Sequence, residues 1–256
     1  MAKVSLKELI EAGVHFGHRQ SRWNPKMQRF LYGKRNAVHI IDLRKTVQAL
    51  VLGAKFLKAV AARKEQVLFV GTKRQARSTI ASEAQRAAMP YVSHRWLGGT
   101  LTNFQVIHSR LGRLKELEEM ETSGALAALS KKEAASLRRE KTKILTNMEG
   151  IREMDRLPGA LFVIDPRREI IAVREANKME IPVVAFIDTD SDPDLITIPI
   201  PGNDDAMRAI QVATRIITDA VVEGRTGKPV KRAAPKKEEE APKVAAETEE
   251  TVAAKE

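Results

Sequence analysis

The chain has 256 residues, of which 43% are hydrophobic and 30% charged, with a net charge of +11. It has no cysteine, which excludes disulfides, thiolate metal sites and cysteine nucleophiles. It also lacks an apolar run long enough for a membrane span, and its N-terminus lacks the apolar core of a signal peptide. We therefore expect a cytoplasmic protein with a substantial core, and the positive charge indicates a polyanionic partner.

The predicted elements begin with MAKVSLKELIEAG, a pattern typical of an amphipathic helix. Short β-rich runs follow, and several are apolar at consecutive positions, as expected for strands buried on both faces. The strands are expected at 38–43, 67–72, 90–94, 160–165, 181–188 and 195–200, and the helices at 44–63, 73–88, 167–179 and 203–223. This alternation predicts an α/β fold whose parallel sheet is covered by helices on both sides.

The stretch VLFVGTKRQA at 67–76 places a glycine turn and Lys73 directly after a strand. Phosphate-binding loops use this order, but the second glycine of a Walker A loop and the glycines of a dinucleotide fingerprint are missing. What remains is a helix N-terminus with free backbone N–H groups and two cations, Lys73 and Arg74. Most turns of this kind bind nothing, and the pattern argues against a nucleotide site. A contact with a nucleic-acid phosphate is expected only because the whole fold is basic.

One segment, from Asn103 to about Arg156, has no strand signal. Its apolar residues recur three or four positions apart among dense charges, which predicts an inserted antiparallel coiled-coil hairpin, with two ordinary core helices as the alternative. We assign 1–102 and 157–224 to a single α/β domain with an N-terminal helix and a basic extension, 103–156 to the hairpin, and 225–256 to a disordered charged tail.

The run at 188–194 carries an aspartate at every second position, as a magnesium or calcium loop does. Pro193 and Pro199 break the EF-hand template, so Asx-turns at the end of a strand are the favoured interpretation. An alternative function remains open at this point. It is a doubly wound α/β enzyme that uses Asp188 and Asp190 with magnesium on a phosphorylated substrate.

His15 and His18 have a spacing that metal sites use, but no third ligand is evident. The chain contains no catalytic signature such as a nucleophile elbow, a zinc-protease motif or a kinase motif set. A third hypothesis is a protein–protein adaptor that uses only the hairpin.

The strongest local signals combine cations with aromatic rings. SRWNPKMQRFLYGKRN at 21–36 and HRWLGGTLTN at 94–103 contain both tryptophans of the chain, each beside an arginine. Cations neutralise phosphates and flat rings stack on unpaired bases, although Trp96 is equally well explained as a buried loop anchor. The candidate RNA-binding residues are Arg22, Trp23, Lys26, Arg95, Trp96 and Asn103, together with Lys73 and Arg74.

Long motifs of the chain resemble, in order, those of one family, the second protein of the bacterial small ribosomal subunit. They are AGVHFGH (12–18), WNPKM (23–27), HIIDL (39–43), LFVGTK (68–73), HRWLGGTLTNF (94–104) and IPGNDDA (200–206). The resemblance covers about residues 4–224 and implies a flavodoxin-like three-layer sandwich with an inserted coiled-coil hairpin.

The same resemblance implies a non-catalytic constituent of the ribosome, without cofactor or small-molecule substrate. It implies binding to small-subunit ribosomal RNA where the head of the particle meets the body, late in assembly. The implied protein partners are neighbouring small-subunit proteins, including protein S-one, which the family helps to dock.

Overall fold

A computed structural model describes residues 5–125 and 130–228. The helices are α1 (Leu6–Glu11), α2 (Leu43–Ala62), α3 (Arg77–Ala87), α4 (Phe104–Thr122), α5 (Lys131–Met148), α6 (Ile170–Lys178) and α7 (Met207–Thr226). The strands are β1 (Phe16–Arg19), β2 (Leu31–Arg35), β3 (Val38–Ile41), β4 (Val67–Val70), β5 (Tyr91–Val92), β6 (Ala160–Ile164), β7 (Val183–Ile187) and β8 (Ile198–Pro201). None of these helices is long and apolar enough to cross a membrane.

The core is a five-stranded parallel sheet in the order β5-β4-β6-β7-β8. Counted along the chain within this sheet, the order is 2-1-3-4-5, which is that of flavodoxin-like doubly wound folds. Every residue of β4, β6 and β7 is buried, as their continuous apolar runs require. The predicted α/β class and flavodoxin-like fold are therefore confirmed.

Two apolar layers cover the sheet, because successive side chains of a strand point to opposite faces. One layer holds Phe69, Phe162 and Phe186 against helices α2, α3 and α7. The other holds Leu68 and Leu161 against α6 and the bases of α4 and α5. The molecule thus has the three layers expected of this fold.

A second, antiparallel sheet in the order β1-β3-β2 lies outside the parallel sheet. The expectation that 38–43 joins the parallel sheet was wrong, because β3 pairs with β1 and β2 instead. A two-residue turn connects β2 and β3, in which Asn36 and Ala37 have φ of 51° and 60°. Positive φ at both positions suits the twist of a tight hairpin, and an Asn-Ala pair is a weaker signal for it than Asn-Gly.

Helices α3 and α7 begin four residues later than predicted, at Arg77 and Met207. Before α7, the side-chain oxygen of Asn203 accepts hydrogen bonds from the backbone N–H groups of Asp205 (3.0 Å) and Ala206 (3.2 Å). This Asx-turn replaces the predicted first helical turn. Helix α7 also continues to Thr226, into the predicted tail, whose residues 229–256 lie outside the described ranges.

Helices α4 and α5 occupy the predicted hairpin and pack against each other, with Arg113 3.6 Å from Glu140. The start of α5 is fixed by a capping box between Ser130 and Glu133. The apolar side chains of α4 at Ile107, Leu111, Leu114 and Leu117 are all buried. Whether the pair has coiled-coil geometry stays a prediction.

Candidate nucleic-acid interface

The loop after β7 anchors the basic N-terminal segment, residues 12–41, by hydrogen bonds that each use at least one backbone group. The carbonyl of Thr189 accepts a hydrogen bond from the Asn24 N–H at 2.7 Å, and its hydroxyl accepts one from the His18 N–H at 2.9 Å. The Asn24 side chain donates to the Ser191 carbonyl at 3.0 Å. A Cβ on Gly17 would lie 2.5 Å from the Thr189 methyl, so this close approach requires glycine.

The aspartates of this loop pair with cations of the chain itself. Lys26 Nζ lies 2.8 Å from a carboxylate oxygen of both Asp192 and Asp194, and Arg167 lies 2.6 Å from Asp190. Asp192 also accepts a hydrogen bond from the backbone N–H of Asp194, which is the expected Asx-turn.

The acidic run therefore holds the basic segment in place. Within residues 5–125 and 130–228, no group of three or more histidine or acidic side chains is arranged to hold a metal ion. The magnesium-dependent enzyme that Asp188 and Asp190 could have served is not supported.

His18 connects β1 to the carboxyl end of the parallel sheet. Its Nδ1 lies 3.0 Å from Asp188 and its Nε2 lies 3.4 Å from Asp205. The hydrogen bond to Asp188 raises the pKa of His18 to about 9 against the opposing effect of burial. The imidazole is thus a cation in the folded protein at neutral pH.

This raised pKa predicts a loss of stability in mild alkali. The folded protein retains a proton that the unfolded chain releases near pH 6.5, so the stabilisation is complete below that pH and is lost as the pH rises to about 9. We expect the free energy of unfolding, measured with urea, to fall by about 2–3 kcal/mol across this interval. The variant His18→Gln should lack this fall, whereas His15→Gln should keep it, since burial lowers the pKa of His15.

Several cations of the N-terminal segment stay free. Residues 12–41 contain six lysines and arginines and no aspartate or glutamate. Within the described part of the chain, four of these cations are exposed and have no ion pair: Arg19, Arg22, Lys34 and Arg35. The absence of acids between Glu11 and Asp42 is a sequence signal that could have singled out this whole segment.

The aromatic residues of the segment are partly used for packing. Trp23 is half-buried and stacks on His39, with ring centroids 4.8 Å apart. The Arg29 guanidinium lies 5.0 Å from the centre of the Phe30 ring and 3.6 Å from Asp194. Trp23 therefore presents only part of its ring to a partner.

The 94–103 loop is organised by a carboxylate that sequence reasoning missed. Glu175 accepts hydrogen bonds from Trp96 Nε1 (3.1 Å) and from the backbone N–H groups of Gly99 (2.8 Å), Leu101 (3.0 Å) and Thr102 (3.3 Å). Trp96 is only 7% exposed, so it is a loop anchor. Burial would raise the pKa of Glu175, but these donors outweigh it and the pKa lies below its ordinary value. In the sequence, Glu175 is one charge of an ordinary helix and gives no signal.

The two ends of this loop face solvent. Arg95 and Asn103 are exposed, and the Asn103 side chain makes no capping hydrogen bond to α4 although the residue occupies the N-cap position. Their polar groups remain available for a partner. Of the three loop residues predicted to bind RNA, Arg95 and Asn103 are therefore exposed and Trp96 is buried.

The first two backbone N–H groups after β4 are bonded inside the protein. The Gly71 N–H donates to the Val92 carbonyl at 3.0 Å, and the Thr72 N–H donates to the Glu169 carboxylate at 3.1 Å. Helix α3 begins only at Arg77. The N–H groups of Gly71 and Thr72 are thus not available to a phosphate, and the contact of this turn with RNA stays a prediction.

Lys73 lies in an internal charge cluster at the carboxyl end of the sheet. Its ammonium is 2.6 Å from Asp204, 2.6 Å from Asp205 and 3.4 Å from Asp165, and its side chain is 11% exposed. Burial would lower the pKa of Lys73, but these carboxylates raise it. Burial, together with Asp165 and Asp188, raises the pKa of Asp204 well above its ordinary value. The neighbouring Arg74 is exposed.

Comparison with known proteins gives two consistent findings. The family described as "Ribosomal protein S2" matches residues 9–224. The chain is 54% identical over 225 residues to "Small ribosomal subunit protein uS2" of Syntrophobacter fumaroxidans, an alignment that covers 88% of this chain and 82% of that protein. The family match includes the N-terminal segment, the 94–103 loop and the helical insertion.

Proposed function

The chain belongs to the ribosomal protein S2 family, and on this premise we propose that it binds small-subunit ribosomal RNA through one basic face. A member of this family is a structural protein of the small ribosomal subunit and not an enzyme. It works in the cytoplasm as part of the ribosome, which assembles from RNA and other ribosomal proteins.

The observation that carries the proposal is the set of unpaired cations in the N-terminal segment. The protein neutralises the Lys26 ammonium with its own carboxylates but leaves Arg19, Arg22, Lys34 and Arg35 exposed. Clustered cations without internal partners repel one another, and a phosphate backbone relieves that repulsion while releasing counterions. The free guanidinium groups also suit bidentate contacts with phosphate oxygens.

The other predicted RNA-binding residues divide by exposure. Arg74, Arg95 and Asn103 face solvent and are proposed as direct contacts. Lys73 and Trp96 are bound to carboxylates inside the protein, so we assign them to holding the contact surfaces in position. Trp23 and Lys26 remain in the proposal as partly available contacts. The proposed recognition uses phosphates, ribose hydroxyls and shape more than base sequence.

A change at Arg22 tests the proposal. Arg22→Ala in the full-length protein should weaken its rebinding to small subunits that have been depleted of it. The slope of log affinity against log salt concentration should fall in magnitude by about one unit, because one phosphate contact is lost. Sedimentation at several salt concentrations measures both quantities.

The matched control is Lys55→Ala, which removes an exposed cation of α2 outside the N-terminal segment. It should leave the slope unchanged. Rebinding of the unchanged protein that does not depend on salt, or equal slopes for Arg22→Ala and Lys55→Ala, would contradict the proposed surface.

We also propose, from the family resemblance, that the protein helps to dock protein S-one on the small subunit. Small subunits depleted of this protein should then retain less protein S-one, and adding the protein back should restore it. Equal amounts before and after depletion, measured by quantitative mass spectrometry, would refute this role.

The domain boundaries belong to the same proposal. We propose that residues 1–102 and 157–224 form one domain and that 103–156 form an arm that extends its contact surface. Helix α5 carries exposed cations at Lys131, Lys132, Arg138, Arg139 and Lys143. They give the arm the charge needed to contact RNA as well.

A further inference from the structure

Tyr32 is held in solvent by an irregularity of the N-terminal sheet. In the pairing of β2 with β3, Leu31 lies opposite Ile41 and Gly33 lies opposite Ile40, so Tyr32 is the extra residue of a β-bulge. Its side chain is 82% exposed, the largest value among the exposed large hydrophobic residues that the structure describes. Bulges turn a side chain away from its regular direction, and here the bulge leaves an aromatic ring largely exposed to solvent.

The surroundings of Tyr32 are cationic and polar. Strand β2 is at the edge of its sheet, and all residues from 32 to 37 are exposed. Lys34 and Arg35 follow the tyrosine, and the segment has no acid to neutralise them. The ring therefore lies on an exposed edge hairpin that also carries two unpaired cations.

We propose that Tyr32 is a stacking platform for one unpaired RNA base, with Lys34 neutralising the adjacent phosphate. This rests on the proposed function, RNA binding by the N-terminal segment, and adds the kind of nucleotide that the segment selects. An exposed ring with a neighbouring cation is the combination that binds single-stranded nucleic acid, because every base offers a π-face.

A protein partner fits this place less well. The residues that follow the ring are Gly33, Lys34, Arg35 and Asn36, all of them exposed and none with an apolar side chain. Protein interfaces place aromatic anchors in desolvated centres depleted of lysine. An unpaired RNA base needs only an exposed ring to stack on and a nearby cation for its phosphate.

The test uses full-length Tyr32→Ala, Tyr32→Leu and Tyr32→Phe with small subunits depleted of the protein. We expect the alanine and leucine variants to bind about tenfold more weakly, and the phenylalanine variant to keep its affinity within about twofold, because only an aromatic ring stacks on a base. The salt slope should be unchanged in all three, whereas Lys34→Ala should reduce it by about one unit. Thermal unfolding should not change, since Tyr32 is almost fully exposed.

Ultraviolet cross-linking of the rebuilt subunits supplies a second measurement. A nucleotide adduct on the peptide that contains Tyr32, identified by mass spectrometry, is the expected result. Full affinity of Tyr32→Ala alongside a defect in Arg22→Ala would overturn the stacking role and leave the proposed RNA surface standing. Equal affinity of the leucine and phenylalanine variants would indicate an apolar protein contact and would also overturn it. Binding of the unchanged protein that ignores salt would instead contradict the proposed function.

Discussion

Replacing Glu175 by alanine is expected to lower the free energy of unfolding by about 3–5 kcal/mol, because several buried donors lose their acceptor at once. The Glu175 carboxylate accepts hydrogen bonds from Trp96 and from three backbone N–H groups of the 94–103 loop. Each buried donor that is left without a partner costs about 1–3 kcal/mol, and partial hydration of the opened loop reduces the sum. Urea unfolding followed by far-ultraviolet circular dichroism measures the loss.

Two further variants sharpen this prediction. Glu175→Gln keeps one acceptor oxygen but turns an NH₂ group toward N–H donors. It should therefore destabilise the protein less than Glu175→Ala does, but still measurably. Glu119→Ala, an exposed glutamate of α4, should change the stability by less than about 0.5 kcal/mol. A Glu175→Ala protein as stable as the Glu119→Ala control would show that the loop does not depend on the carboxylate.

The pH dependence of the free energy of unfolding should show whether Glu175 stabilises the protein through its negative charge or only through packing. Because the pKa of Glu175 is lowered in the folded protein, its stabilisation is present above the pKa of the unfolded chain. It is lost as the pH falls through the folded-state pKa. The difference in stability between the unchanged protein and Glu175→Gln should therefore narrow in acid. A constant difference at all pH values would indicate that charge is irrelevant at this site.

Lys73→Met should be the second strongly destabilising change, by about 3–5 kcal/mol at neutral pH, because it removes the cation of a buried ion cluster. The ammonium of Lys73 contacts Asp165, Asp204 and Asp205, and Asp204 is almost completely buried. Without the ammonium, the carboxylates of Asp165 and Asp204 repel each other in a medium of low polarity. Thermal or urea unfolding at pH 7 tests the expected loss.

Arg74→Met is the matched control, since Arg74 is the neighbouring cation but is exposed. It should leave stability nearly unchanged and weaken RNA binding. Addition of Asp204→Asn to Lys73→Met should recover part of the lost stability, because it removes the buried charge that the lysine had neutralised. Failure of this second change to recover any stability would indicate that Lys73 acts through packing alone.

The parallel sheet could be predicted because its strands are buried on both faces. That burial requires continuous apolar runs such as ALFVI in β6. Such runs can be recognised in the sequence even though apolar and polar residues do not alternate in them. Strands β1 and β2 were missed because most of their residues are exposed and charged or small, as in LYGKR. Their pairing with β3 depends on turn geometry and on anchoring to a distant loop, and neither leaves a periodic pattern in the sequence.

The sequence predicts the positive charge of the candidate site, but not which cations are neutralised inside the protein. Residue types and their clustering identified the basic segment and the 94–103 loop. The tertiary fold decides which cations form ion pairs with carboxylates of the same chain. In the sequence, Lys26 and Lys73 therefore could not be distinguished from Arg22 and Arg74. In the structure, the two lysines are paired and the two arginines are exposed. Glu175 could not be recognised, because its partners lie more than seventy positions earlier in the chain.

The anchoring of the basic segment also constrains the order of events during synthesis. The contacts from His18 to Thr189 and from Asn24 to Ser191 span 171 and 167 positions of the chain. A ribosome must therefore translate about three quarters of the message before the first forty residues find the loop that fixes them. A nascent chain carries the cations of residues 12–41 from the start of synthesis. These cations take up their final arrangement only near the end of synthesis, so the completed protein is the form that can bind RNA during assembly.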